Sequence, residues 1–352
     1  MKIGNIDIGN KLVLAPMAEI TDSSFRKICK LNGVGLTYTQ MVSALGIINN
    51  NFETLRLCSF SRDEKPIGVQ ILGNDPDILG QASKELSKHK PDVIDVNCGC
   101  PADKVVGNNF GSALLDDPKT IGLIVRKMAD SSNGIPISVK LRIGKDRSHV
   151  NIMETAKVVV DNGGSILIVH ARARGDRYDV EADWSWIKKI KDEYKVPVVG
   201  NGSIFSAQDA LNMINETGCD TVMVARGALG NPFIFSRFNS LLETGIDPGL
   251  PQIEIVNKNL IQHINYLEQE FGEFLALDKA KKHSIWYLKD YPGIDSLLEK
   301  IFSLKNLELL RELVNEHSLL IGNGFFKSNG ENSINEKFKK KVLFWLTDEV
   351  KV

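Results

Sequence analysis

The chain has 352 residues, 43% of them hydrophobic and 25% charged, with a formal net charge of −1. This is an ordinary globular composition with room for one large domain and a smaller one, and it excludes a disordered or fibrous chain. No global excess of positive charge announces nucleic acid, so any anion site has to come from local clustering. No apolar stretch approaches the ~20 residues of a membrane span, and the opening residues lack a signal-peptide layout. Five cysteines without framework spacing predict reduced thiols and a cytoplasmic protein.

Taken in order, eight short β-type runs are each followed by a helical pattern. The runs are Leu12 to Pro16, Leu36 to Val42, Ile67 to Leu72, Val93 to Asn97, Ile137 to Arg142, Ile166 to His170, Val198 to Asn201 and Thr221 to Ala225. Several, such as Ile166-Leu-Ile-Val169, are continuously apolar, as parallel strands buried on both faces are. Helices are expected over Ser23 to Leu31, Asp77 to His89, Pro118 to Ala129, Ile152 to Asp161, Trp184 to Tyr194 and Ala207 to Asn215. Eight strand–helix units in ~230 residues predict an α/β fold, a (β/α)8 TIM barrel, over residues 1–243. A doubly wound open sheet is the alternative, but Ala15-Pro-Met-Ala18, and no Gly-x-Gly-x-x-Gly, follows the first strand. Residues 244–252, rich in Gly and Pro, read as a linker. A small C-terminal helical domain is expected over 253–352, with amphipathic stretches at Ile253 to Phe271, Phe274 to Leu288 and Ile294 to Leu320. A polar tract over Gly322 to Asn335 and a last helix over Glu336 to Thr347 complete it.

A barrel keeps its chemistry at the carboxyl ends of its strands. There the fourth run ends in Asn97-Cys-Gly-Cys-Pro101, where Gly99 and Pro101 stop the pairing and leave Cys100 on a loop. Cys100 is the candidate acid–base group or nucleophile, and Cys98 suits a silent core thiol. Cys-x-Cys alone does not supply four ligands, so no metal is expected. Glycines at 200, 202 and 227 beside Arg226 suit a phosphate site, the glycine turns alone being the bland alternative. Val139 and Leu141 place Lys140 on the inward-facing set. Arg142, Arg147, Arg172, Arg174 and Arg177 crowd the loops after runs five and six. Either they await a polyanionic substrate, or they are ion-paired with nearby Asp146, Asp176 and Asp179.

Together these residues resemble the tRNA-dihydrouridine synthase family over nearly the full chain, most closely its bacterial B-type branch. The resemblance rests on Ala15-Pro-Met-Ala18 with Thr21-Asp22 and Phe25-Arg26, on Val69-Gln70, and on Asp95-x-Asn97-x-Gly-Cys-Pro101 with Lys104 and Gly111-Ser-Ala113. Val139-Lys-Leu-Arg142, His170-x-Arg172-x-Arg174, Asn201-Gly202, Ala225-Arg-Gly-Ala228 and Lys282-His-x-x-Trp-Tyr287 complete it. It implies FMN at the barrel mouth, with Pro16, Met17 and Ala18 along the ring, Gln70 bonded to it, and Lys140 and His170 beside it. Asn201, Gly202, Ser203, Ala225 and Arg226 would hold the phosphate end. Cys100 would be the general acid, a suitable choice since a free thiol, with a pKa of about 8.5, is protonated at neutral pH yet able to donate. Asn97, Lys104, Arg142, Arg172, Arg174, Lys282 and His283 would meet the tRNA. The implied reductant is NADPH or NADH, and a monomer is expected. Glu19 and Ser203 depart from the family's usual Gly and Asp. The rival readings are an FMN barrel reductase of a free pyrimidine, similar to dihydroorotate dehydrogenases, and a non-catalytic RNA-binding barrel.

Overall fold

Eight parallel strands form a ring in the structure, a computed structural model that describes residues 2–3, 6–9 and 12–325. They are β1 (Leu12–Leu14), β2 (Thr37–Tyr38), β3 (Ile67–Leu72), β4 (Val93–Cys98), β5 (Ile137–Arg142), β6 (Ile166–His170), β7 (Val198–Asn201) and β8 (Thr221–Val224). Each pairs in parallel with the next, β8 pairs with β1, and a single bridge from Val13 to Leu36 closes the ring. The barrel expected from alternating strand and helix patterns is therefore the fold observed. Only the second run departs. It breaks after Tyr38 and resumes at Val42–Ser43, both pieces pairing with β3. The Thr39 hydroxyl explains the break, since it accepts from Gln70 N and donates to the Gln40 carbonyl in place of ladder bonds.

Alternation along the strands sorts side chains between two cores. Val13, Ala15, Val93, Ile166, Ile168, Val199 and Met223 fill the barrel interior with Ile6 and Ile8. The intervening residues, among them Ile94, Val96, Cys98, Val139 and Leu141, face the surrounding helices. The helices form where expected, most closely at Ser23–Leu31 and Ile152–Asp161, and several begin on side-chain caps such as Asp22, Asp75, Asp117 and Ser206. A further helix, Ile234–Thr244, has no capping side chain to announce it and ends at Gly245 in the left-handed conformation.

Beyond the barrel, Ile253–Leu288 is one long helix interrupted at Gly272, whose φ of 73° is non-helical, so the expected break there is real. The stretch expected as a single helix from Ile294 is two, Ile294–Ser303 and Leu307–Gly322, because the Asn306 side chain accepts from Leu309 N and starts a new one. These helices pack directly on the barrel. Glu270 accepts from Ser24 N at 2.7 Å and Ser24 Oγ at 2.6 Å, and Trp286 is fully buried against Gly230, where a Cβ would collide with the Trp286 backbone. The tract and final helix expected beyond residue 325 lie outside the described residues.

Candidate active site

β4 turns its odd-numbered residues inward, which stacks Val93, Asp95 and Asn97 toward the mouth and sends Cys98 out among the helices. Burial pushes the Cys98 thiol far up, as befits a packing residue. Cys100, two residues on, is half-buried, and it alone of the five free cysteines is not buried.

The turn that carries it is tied at every backbone polar group. Asn97 Oδ1 accepts from Gly99 N at 3.0 Å and Cys100 N at 2.9 Å. Arg142 Nε donates to Gly99 O at 3.0 Å, and Ser112 donates to Cys100 O from both N (3.0 Å) and Oγ (2.9 Å). Gly111 makes the last contact possible. At its φ of +60° a Cβ would lie 2.7 Å from Cys100 O and 2.8 Å from Val105 Cγ1. Satisfying each buried group in this way fixes one conformation of the turn.

Lys140 stands opposite Asn97 in the ladder and joins this turn to the principal pocket of the mouth. Ala15, Pro16 and Met17 give that pocket an apolar wall, and Lys140, His170, Arg172, Asn201, Gly202, Ser203, Ala225 and Arg226 line the rest. Thr21 fixes the apolar turn by accepting from Met17 N and donating to Met17 O. Lys140 Nζ donates to Asn201 Oδ1 at 3.3 Å, and burial, with Arg142 nearby, lowers the lysine to about 8. His170 is held neutral, first by burial and then by the surrounding Arg142, Lys140, Arg172 and Arg226 cations. Arg172 lies 3.3 Å from His170 Nε2, and because guanidinium only donates, a hydrogen bond there requires the neutral imidazole with its proton on Nδ1. Arg226 stacks on Tyr178 at 4.6 Å and on Phe205 at 5.2 Å. Ala18 and Gln70 are not on the pocket wall. Gln70 is buried beneath the turn, bonded to Asp95 and Asn97.

Three arginines of the cluster hold exposed or partly exposed ion pairs. Arg147 pairs with Asp176, Arg174 with Asp116 and Arg177 with Asp179. Arg142 is 1% exposed and binds the Gly99 and Ala173 carbonyls, while Arg172 is 3% exposed and binds Val180 O, Tyr178 O and Ser203 Oγ. Arg142 and Arg172 therefore build the site from within, and Arg172 also lines the pocket. His283 is misplaced by the sequence reading. It is 2% exposed, stacked on Phe25 and 4.3 Å from His263, inside the seam between barrel and helices. Lys282 remains half-exposed over Trp286, and Lys104 is exposed just past the Cys100 turn. The two departures have local reasons. Glu19 takes a left-handed φ of 62°, where glycine is at ease, and its backbone binds Gln40 and Lys279, whereas Ser203 Oγ serves Arg172 and Ala182.

The sequence reading missed Asp95, Gly111, Ser112, Tyr178 and Phe205 as site residues. Gly111 and Ser112 stand within a quoted motif, but only the fold shows them touching Cys100. Tyr178 lies in a loop with no periodic signal.

The model of the family described as dihydrouridine synthase matches residues 13–318. The chain belongs to the dihydrouridine synthase family. The enzyme is similar to tRNA-dihydrouridine synthase B of Xanthomonas axonopodis pv. citri, 36% identical over 292 residues, 83% of this chain and 88% of that one. It is 35% identical to tRNA-dihydrouridine synthase B of Pseudomonas putida over 294 residues, 83% of this chain and 87% of that one. The old yellow enzyme homologue of Zymomonas mobilis superposes with a TM-score of 0.51 over 68% of this chain and 91% of that one, at 12% identity, and so shares the fold. As a dihydrouridine synthase of the B-type branch, the chain is a flavin-dependent enzyme of tRNA uridine reduction. The pocket suits such a cofactor in its chemistry, an apolar wall at one side and fixed cationic and amide donors at the other.

Proposed function

We propose that this dihydrouridine synthase reduces the C5–C6 bond of tRNA uridine with Cys100 as the general acid for C5. FMN, when bound, supplies the hydride for C6 and is re-reduced by NADPH or NADH. The protein's own part is to bind, orient and protonate. Pro16 and Met17 offer an apolar face to the ring, with Ala18 completing the set by family resemblance, while Gln70, its amide committed to Asp95 and Asn97, serves the turn beneath. Lys140 and His170 border the reacting end, and Asn201, Gly202, Ser203, Ala225 and Arg226 take the phosphate end. Hydride addition at C6 leaves negative charge shared by C5 and the C4 carbonyl oxygen, which the Lys140 cation stabilises while the Cys100 thiol delivers its proton to C5. Asn97 presents the thiol by capping its turn. The observation that carries this reading is the fully bonded turn, which exposes one thiol of five beside a cationic pocket.

Uridine in folded tRNA has to leave its stack to reach a barrel mouth, at a cost of a few kcal/mol. Residues 1–243 are the catalytic barrel in this account, and the helices from 253 onward grip the RNA through Lys282, with Lys104 and Arg174 nearer the mouth. Lys282→Glu is expected to weaken tRNA binding about tenfold at low salt and to leave FMN content unchanged. The protein acts as a monomer in the cytoplasm in this reading, and among the described residues no helix is long and apolar enough to cross a membrane. The test is to map dihydrouridine in tRNA from a strain lacking the gene. Sites lost in the deletion should return with the parent enzyme. An unchanged map, or equal turnover of free uridine or orotate, would defeat the reading.

A further inference from the structure

We propose that Asp95 is a positioning residue that sets the direction of two amides, Gln70 and Asn97, and through them the conformation of the Cys100 turn. The inference rests on the reading of Cys100 as the acid. Asp95 is fully buried in the barrel, level with Gln70 on β3 and Ser138 on β5. Its Oδ1 meets Ser138 Oγ at 2.5 Å, and its Oδ2 accepts from Gln70 Nε2 at 2.7 Å. Gln70 Oε1 then accepts from Asn97 Nδ2 at 2.8 Å, and Asn97 Oδ1 accepts from the N–H groups of Gly99 and Cys100.

The direction of this chain is fixed at both ends. At the top stand two backbone N–H groups, which can only donate. At the bottom stands a carboxyl oxygen that accepts. Were the carboxyl to hold a proton, the short contact to Ser138 is where it would sit, so Oδ2 stays an acceptor. Between such ends each amide has one satisfying orientation. Reversing either one sets donor against donor or leaves a buried group unpaired. Without the carboxyl, Gln70 has no reason to point Nε2 downward, and Asn97 loses the partner that keeps its carbonyl on the turn.

An asparagine at 95 preserves the chain, because its carbonyl can accept from Gln70 while its amino group donates to Ser138 Oγ. A leucine breaks it. The experiment compares Asp95→Asn, Asp95→Leu and Gln70→Met by two readouts. The first is the rate of Cys100 alkylation by iodoacetamide, followed by peptide mass spectrometry, which needs neither flavin nor tRNA. The second is kcat and KM with tRNA. Asp95→Leu and Gln70→Met should speed alkylation about tenfold, the loss expected for one charge-assisted bond, and lower kcat while KM stays within about twofold. Asp95→Asn should match the parent in both. Parental alkylation in Asp95→Leu or Gln70→Met, or an Asp95→Asn enzyme as impaired as Asp95→Leu, would overturn the proposal, the latter by showing that charge and not amide direction matters. If Asp95→Leu fails to fold, Gln70→Met against Asp95→Asn decides. The acid reading fails separately, through an active Cys100→Ala enzyme, and the alkylation result is independent of that outcome.

Discussion

At the Cys100 turn every backbone polar group of Gly99 and Cys100 has a protein partner, whereas at the seam between barrel and helices two buried imidazoles each leave one ring nitrogen without one. His263 Nε2 and His283 Nδ1 are buried without a hydrogen-bond partner, and the rings are held by stacking on Phe25 and by the Tyr287 hydroxyl, 3.5 Å from His263 Nδ1. The turn is thus built from directional bonds that admit one geometry. The seam is bonded elsewhere by Glu270 and Lys279, but at this histidine pair it is built mainly from ring contact, which tolerates small shifts but accepts only neutral rings. A site that must aim one proton needs the first kind of construction, and a joint that only has to stay closed can use the second.

The largest effect that would break this contrast is expected from Arg142→Met. Removing a buried guanidinium leaves the Gly99 and Ala173 carbonyls without their donors and should cost about 3 kcal/mol. Arg147→Met, which removes an exposed ion pair with Asp176, should cost below about 1 kcal/mol. Urea unfolding of both variants checks this, and equal losses would show that Arg142 is not the structural member of the cluster. Gly111→Ala comes next. Its new methyl would press on Cys100 O, so turnover should fall by roughly tenfold or more at an unchanged KM for tRNA. Parental turnover would mean that the turn is softer than its bonds suggest.

The seam should answer to acid. Burial pushes His263 down to about 3 and His283 well below the usual imidazole range, so the folded state holds both neutral. Their neutrality stabilises the docked helices fully above the unfolded histidine value of ~6.5, and that contribution is lost as pH falls from there toward 3. Amide exchange over residues 260–288 should therefore quicken, after correction for intrinsic rates, between pH 7 and 5. The Cys100 turn should show a smaller change, and His283→Phe should blunt the response at the seam. Uniform acceleration across the chain would erase the distinction.

The fold was largely legible because parallel strands buried on both faces write themselves as short apolar runs. Cys100 was legible too, since Gly99 and Pro101 end pairing at a recognisable place. Arg142 was half legible. Alternation with Ser138 and Lys140 points it inward, but its carbonyl partners belong to loops that only the closed ring brings together. Arg174 meets Asp116 from 58 positions away, a pairing no local pattern contains. His283 could have been read correctly. It recurs with Ala276, Ala280 and Tyr287 at helical spacing, all buried, whereas its neighbour Lys282 lies off that stripe.

The central claim is that Cys100, held by its bonded turn, gives the proton. Its most direct test is Cys100→Ala in a single-turnover assay, with the enzyme's flavin reduced beforehand and its reoxidation by tRNA followed by absorbance. The account predicts a fall in that rate of at least ~10²-fold, the scale of a lost general acid, with flavin content unchanged. Reoxidation by tRNA at the parental rate in Cys100→Ala would contradict it.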